Sequence, residues 1–383
     1  MGVILLIMDK NLKQLFRTKH PYSATKRDEA HFLAAIGAAC RDFMARSPQY
    51  RKICRQYGFT PKDLRGMKDL QKLPPLPTAY LKRSDISVPH RHIIEVTSSG
   101  TGGRVSRMQY SLSELLSLAH MAIRLGREHH LFSIRPTHYI MLGYQPRRDN
   151  QTVISKTAFL SSFYAPPLSH TYALKYRDGA YHADLDGVRK RMEELRRQRS
   201  PVRIIGFPAY LYFLLEEMKK RNLKYRMPKG SKILLGGGWK QFGAQEIPKE
   251  ELFALAEERL GIGKQDIHEF FSAAEHPVLY CSCPNHHFHI PAYGRVLIRD
   301  VRTLEPVEKG KTGIINLITP LHSNLPIVSI LTDDLGCVRP GSACGCGIKS
   351  DYLEIYGRVG VQGVKTCAGG AQEKLRDGAD GKG

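Results

Sequence analysis

The sequence predicts an α/β protein, with a largely parallel sheet flanked by helices and a small β subdomain behind it. Three observations carry this expectation. Short apolar runs (HYIMLGY, VRIIGF, SKILLGGG) alternate with helical stretches (ADLDGVRKRMEELRRQR, PAYLYFLLEEMKKRN, PKEELFALAEERLG), the alternation that builds strand–helix–strand units. From about residue 278 the pattern becomes strand-rich and turn-rich, in HFHIPAYGRVLIRDVRT and GIINLITP. The length, 383 residues, suffices for two or three structural units.

Taken in order, residues 1–90 read as a helical region and connector. The opening GVILLIM is too short to span a bilayer, and it lacks a basic flank and a cleavage site, so it reads as a buried segment. Residues 29–58 have helical periodicity, and LPPLPTAYLKRSDI reads as an extended connector. Residues 91–277 form the α/β core: RHIIEV is strand-like, a glycine-rich loop follows, and SELLSLAHMAIRLGREHHLF is the next helix. Residues 278–358 form the β-rich subdomain and 359–383 a short tail that frays. There is no internal repeat.

The 58 basic and 36 acidic residues give a net charge of +22, which attracts anionic partners. The basic residues are scattered, though, and no zinc-finger spacing, helix-turn-helix pattern or aromatic RNA-binding motif accompanies them. A solvated basic surface is the simpler reading, and nucleic acid is not the expected partner. No apolar run reaches the ~20 residues of a membrane span. Six of the eight cysteines crowd the stretch from Cys281 to Cys367. Without an export signal this points to the reducing cytoplasm, where clustered cysteines mean metal or catalysis more often than disulfides.

The loop VTSSGTGGRVSRMQYS (residues 96–111) lies between a strand and a helix. Its glycines let backbone N–H groups approach a phosphate, its hydroxyls donate, and the following helix adds its positive end. Alone it is equally a plain connector, and the Gly-Lys-Ser/Thr of a Walker loop is missing. Four further stretches follow it: LLGGGWK (234–240), FSAAE (271–275), TDDLG (332–336) and YGR (356–358). In this order the five resemble the motifs of the adenylate-forming enzymes, the superfamily of acyl-CoA synthetases, luciferases and adenylation domains.

That resemblance implies ATP and Mg²⁺ as cofactors and a carboxylic acid as substrate. It places Ser98, Ser99, Gly100, Thr101, Gly102, Gly103 and Arg104 at the triphosphate and Gly236, Gly237 and Gly238 beside adenine. It gives Glu275 to magnesium, a hard oxygen ligand for a hard cation. Asp334 grips both ribose hydroxyls, a vicinal diol that a carboxylate's two acceptors match. Arg358 stabilises charge on the α-phosphate or fixes the hinge at which the superfamily places it. The sequence departs from the pattern at FSAAE, which lacks the usual Gly and Thr, and at Gly102, where Thr or Ser is usual. No lysine follows the loop, and Arg104 or Arg107 is left to supply its charge.

Full-length members of the superfamily continue past the hinge with a mobile domain of about 100 residues. Only 25 residues follow Arg358, so the expected fold is the N-terminal domain without the full mobile C-terminal one. The chain is then either a fragment or a member of a family that works without it. One such family is the LuxE-type acyl-protein synthetases, and the resemblance to it includes LPPLPTAYLKRSDI, the GGWK turn and the ending GRVGVQGVKTCAGGAQEKL. It implies that Cys367 receives the acyl group as a thioester, for reduction to aldehyde by an acyl reductase partner. A thiolate suits that acceptor role, and Lys365 and Lys374 stand close in sequence to favour it. The expected function is ATP-dependent activation of a fatty acid as acyl-AMP and its transfer to Cys367. The alternatives are an enzyme that passes the acyl or aryl group to coenzyme A, an amine or a carrier protein, and a nucleotide-binding homologue impaired in catalysis. The acyl pocket is expected between the sheet and the 139–165 region.

A second constellation, CSCPNHHFH (281–289) with CGC (344–346), offers thiolates and imidazoles from two hairpins. Such donors make a tetrahedral Cys₃His zinc site of structural type. The preferred ligands are Cys283, His289, Cys344 and Cys346, with Cys281 and His287 as substitutes.

Overall fold

The computed structural model describes residues 10–81, 86, 88, 92–97, 107–146 and 164–358. The chain begins with helices α1 (Lys10–Phe16), α2 (Lys26–Arg46) and α3 (Pro48–Gln56). Thr25 caps α2 in a capping box with Asp28, and Ser47 both ends α2 and caps α3, whose first residue is Pro48. The Pro-rich connector holds strand β1 (Leu76–Pro77) and the single turn α4 (Thr78–Leu81). A two-stranded ribbon follows, β2 (Ile94–Thr97) and β3 (Arg107–Tyr110), and then helix α5 (Leu112–Glu128).

The central sheet is built from β4 (Thr137–Tyr144), β5 (Pro167–Arg177), β6 (Ala180–Ala183), β7 (Val202–Gly206), β8 (Lys232–Gly236), β9 (Ile267–Ala273) and β10 (His276–Cys281). Its strand order is β10-β9-β8-β7-β4-β5-β6. The five inner strands are parallel, and β10 and β6 close the two edges antiparallel. Helices α6 (Leu185–Leu195), α7 (Pro208–Lys220) and α8 (Lys249–Leu260) cover one face. Alternation along the strands divides the two faces. Ile140, Ile204 and Ile233 pack under these helices, whereas Tyr139, Met141, Ile205 and Leu234 line the opposite face with Tyr164. Tyr139, Met141 and Tyr164 are the described residues of the 139–165 region on that face.

The second sheet contains β11 (Phe288–His289), β12 (Arg295–Arg299), β13 (Gly313–Ile318), β14 (Ser329–Arg339) and β15 (Tyr352–Arg358) in the order β11-β15-β14-β13-β12, with β1 paired on β14. One large core joins this sheet to α2, α3 and α5 through Phe32, Phe43, Tyr50, Met121, Tyr293 and Leu317. Two expected boundaries therefore run through packed structure. The 277/278 boundary falls inside β10, and Leu76, from the N-terminal region, pairs with Ile330 of the second sheet. No described helix is long and apolar enough to cross a membrane.

Candidate functional site

Residues 98–106 lie between β2 and β3, which pair antiparallel from Ile94↔Tyr110 to Thr97↔Arg107. Ser98, Ser99, Gly100, Thr101, Gly102, Gly103 and Arg104 are outside the described residues, but the ribbon brings their two ends together. Beyond the ribbon, Ser111 caps α5: its Oγ and backbone N–H donate to Glu114 Oε2 at 2.8 and 2.7 Å. Helix α5 starts at Leu112, two residues after the end of β3.

The ribbon is tied to the FSAAE turn. Tyr110, the last residue of β3, donates its hydroxyl to the Ala274 carbonyl at 3.3 Å. Glu275 follows at the turn between β9 and β10 and is 6 % exposed. No hydrogen bond or ion pair from the described residues satisfies its carboxylate. A carboxylate there offers hard oxygen donors of the kind a divalent cation takes.

Strand β8 ends at Gly236, paired with Phe270 of β9. Gly237 and Gly238 then take φ values of 83° and 63°. Two successive left-handed residues make a sharp turn, a conformation that glycine adopts without strain. Trp239, the single tryptophan of the chain, is buried behind this turn against Tyr212. Gly236, Phe270 and Glu275 therefore share one end of the central sheet, outside the carboxyl ends of its parallel strands, where ligands bind in open α/β sheets.

Asp334 belongs to the other sheet, where its backbone pairs with Arg358. Its N–H donates to Thr332 Oγ1 at 3.1 Å, and its neighbour Asp333 accepts from Thr78 Oγ1 at 3.2 Å. The YGR stretch, expected as a hinge, forms the end of β15. The two segments pair antiparallel from Asp334↔Arg358 to Arg339↔Tyr352, with a register shift at Leu335/Gly336.

The Cys/His constellation converges. One ligand atom from each of Cys283, His289, Cys344 and Cys346 lies within 4.8 Å of all the others. Cys283 Sγ is 3.5 Å from Cys344 Sγ, and Cys346 Sγ is 3.2 Å from His289 Nε2. Tetrahedral zinc with standard bond lengths has edges of about 3.8 Å (S···S) and 3.6 Å (S···N), so the donors stand close to coordination distance. His289 Nδ1–H donates to the Ser350 carbonyl at 2.7 Å, leaving Nε2 bare toward the cluster. Local backbone geometry makes this possible. Cys283 N–H bonds the His287 carbonyl, His286 closes the turn at φ 59°, and Gly345 and Gly347 reverse the chain at 75° and 93°. Burial pushes the Cys283 thiol up to about 12, while N–H groups of His287 and Asn285 pull the other way. A bound cation would supply the missing charge.

Of the substitutes, Cys281 is buried in the core on the free face of the central sheet, and burial holds its thiol well above the usual range. His287 remains beside the cluster, with Nδ1 3.2 Å from Cys344 Sγ and its ring stacked on Tyr352. Cys367 is outside the described residues. Sequence reasoning missed Tyr110, His322 and Ser350, because each acts through contacts distant in sequence.

This architecture is the fold of the acyl-adenylate-forming ligases. It resembles 2-hydroxyisobutyryl-CoA ligase in the postadenylation state with 2-HIB-AMP (TM-score 0.65, 16% identity, 86% of this chain and 68% of that one). An open conformation of that ligase with 2-HIB-AMP and CoA is similar at TM-score 0.66 and 16% identity, over 88% of this chain and 76% of that one. Within this class the chain belongs to the LuxE acyl-protein synthetase family, whose profile matches residues 6–376. It is an enzyme of the ligase type. It is 23% identical to the long-chain-fatty-acid–luciferin-component ligase of Vibrio harveyi, over 83% of this chain and 81% of that protein. The enzyme of that name from Aliivibrio fischeri is also 23% identical, over 84% and 83%.

Proposed function

We propose that the protein activates a fatty acid with ATP and holds the product on Cys367. In the first step a carboxylate oxygen attacks the α-phosphorus of ATP, the P–O bond to pyrophosphate breaks, and acyl-AMP forms. In the second the Cys367 thiolate attacks the acyl carbonyl carbon and AMP leaves, giving a protein thioester. The observation that carries the first step is the Tyr110–Ala274 hydrogen bond, which ties the β2–β3 ribbon to the turn bearing Glu275. The second step rests on family membership and on the position of Cys367 in the ending shared with the family. An acyl reductase is the kind of partner that consumes such a thioester, releasing an aldehyde and regenerating the thiol.

In this reading Ser98–Arg104 donate to the triphosphate, Gly236–Gly238 border adenine, and Asp334 accepts from the ribose hydroxyls. Glu275 would hold Mg²⁺, which when bound neutralises phosphate charge, and Arg358 supports the α-phosphate. Cys283, His289, Cys344 and Cys346 would hold a structural Zn²⁺ that joins the β10–β11 turn to the segment entering β15.

Carboxylate-dependent exchange of labelled pyrophosphate into ATP tests the first step. Exchange is expected with fatty acids, and Asp334→Asn is expected to raise the ATP concentration needed about tenfold by removing charge from two hydrogen bonds. ATP binding without acid-dependent exchange would instead favour a homologue impaired in catalysis, in line with the Gly102 and FSAAE departures.

A further inference from the structure

We propose that His322 is a positioning residue for Glu275, holding the 274–275 turn at a fixed place relative to the ribbon that carries the 98–106 loop. The inference rests on the reading of Glu275 as the Mg²⁺ ligand.

His322 lies in the connection between β13 and β14, in the segment LHSNL (321–325), which is almost wholly buried. Five separate pieces of the molecule are fastened to this short segment. His322 Nε2 is 3.1 Å from the Glu275 carbonyl oxygen. The Ser323 N–H donates to Glu114 Oε1 at 2.8 Å, on the first turn of α5. Asn324 Nδ2 donates to the Gln109 carbonyl of β3 at 2.7 Å, and the Asn324 carbonyl accepts from the Val88 N–H at 2.7 Å. The Arg46 guanidinium, from α2, donates to the Ser323 carbonyl at 2.6 Å. Both the exit of the loop and the turn bearing Glu275 are thus held by neighbouring residues of one rigid connection.

The histidine's protonation follows from these contacts. A carbonyl only accepts, so Nε2 carries the hydrogen and Nδ1 is bare. Nδ1 is buried with no hydrogen-bond partner. The ring lies 6.2 Å from the Tyr110 ring, with the two planes 26° apart. Tyr110 itself donates to Ala274, one residue before Glu275. Two hydrogen bonds, from His322 and Tyr110, therefore hold consecutive carbonyls of the turn, and the rings that donate them stack. The imidazole N–H thus holds the main chain of Glu275 and not its carboxylate.

Isosteric variants of the full chain separate positioning from simple support. Glutamine places an N–H near the Nε2 position, whereas asparagine ends near Nδ1 and leaves the Glu275 carbonyl without its donor. Binding of α,β-methylene-ATP, which cannot be adenylated onto an acid, is measured by calorimetry across a magnesium series, alongside thermal melting. His322→Asn is expected to raise the magnesium concentration for half-maximal binding about tenfold, the effect of one buried hydrogen bond, with His322→Gln close to wild type. The proposal is overturned if the two variants give the same magnesium dependence, or if His322→Asn lowers only the melting temperature. Glu275→Gln separates the underlying reading: if it leaves the magnesium dependence unchanged, Glu275 is not the ligand and the role of His322 falls with it. If Glu275→Gln weakens the dependence and His322→Asn does not, the His322 proposal alone fails.

Discussion

At the scale of single residues, the side chains that matter most carry chemistry that few alternatives reproduce. The Cys283, His289, Cys344 and Cys346 donors are close enough for one cation, and the Ser350 carbonyl orients the imidazole. Protein purified without chelator is expected to contain about one zinc per chain, and Cys346→Ser to lose most of it with a lower melting temperature. Metal analysis on the two proteins checks this; equal metal content in both would contradict it. This set was legible because metal ligands come as short spaced motifs, CxC and HxH, and their chemistry narrows the choice. His322 was not legible. The sequence LHSN has no periodicity or spacing that marks it, and its role appears only when β13 and β14 bring it beside Glu275, 47 residues away in sequence.

At the scale of elements, the parallel strands were readable because buried strands are continuous apolar runs bounded by glycine. Strand β7 illustrates both the signal and its constraint. Gly206 ends it at φ 151°, and a Cβ there would sit 2.1 Å from the Leu142 carbonyl oxygen. Gly206→Ala is therefore expected to cost roughly 2–4 kcal/mol, from strain plus a displaced neighbouring strand. Gly310 serves as the comparison, with φ 90° but open space around its Cβ position, and Gly310→Ala should cost only about 1 kcal/mol. Denaturant unfolding of the two variants checks the difference, and equal costs would contradict it. Strands β5 and β6 were not anticipated. Their apolar residues are interleaved with His170, Lys175 and Arg177, because this edge of the sheet is only partly covered. The YGR stretch, which the resemblance places at a hinge, ends β15, where the backbone pairs Arg358 with Asp334.

At the scale of the whole molecule, a basic chain with many buried histidines should lose stability in mild acid. Burial holds His129 down to about 4 and His268 down to about 3, below the ordinary value of 6.5. Both are neutral in the folded state, so unfolding takes up protons once the pH falls below about 6.5. Their contribution is complete above that pH and is lost progressively as the pH falls toward 4 to 3. At pH 5 each is expected to have cost about 2 kcal/mol. Unfolding free energies at pH 7.5 and 5 check this, with His268→Gln less sensitive than wild type; equal sensitivity would contradict it. Fold class was legible because the alternation of strands and helices is a pattern along the chain. The joining of the N-terminal helices to the second sheet was not, since it depends on which apolar faces meet. The claim that unites these scales is that the enzyme carries its product covalently. The direct measurement incubates the full chain with ATP, Mg²⁺ and labelled fatty acid, then assays protein-bound label that hydroxylamine releases. Label on the wild type and its loss in Cys367→Ser is the predicted result. Release of AMP with no label on the protein, or label unchanged in Cys367→Ser, would contradict it.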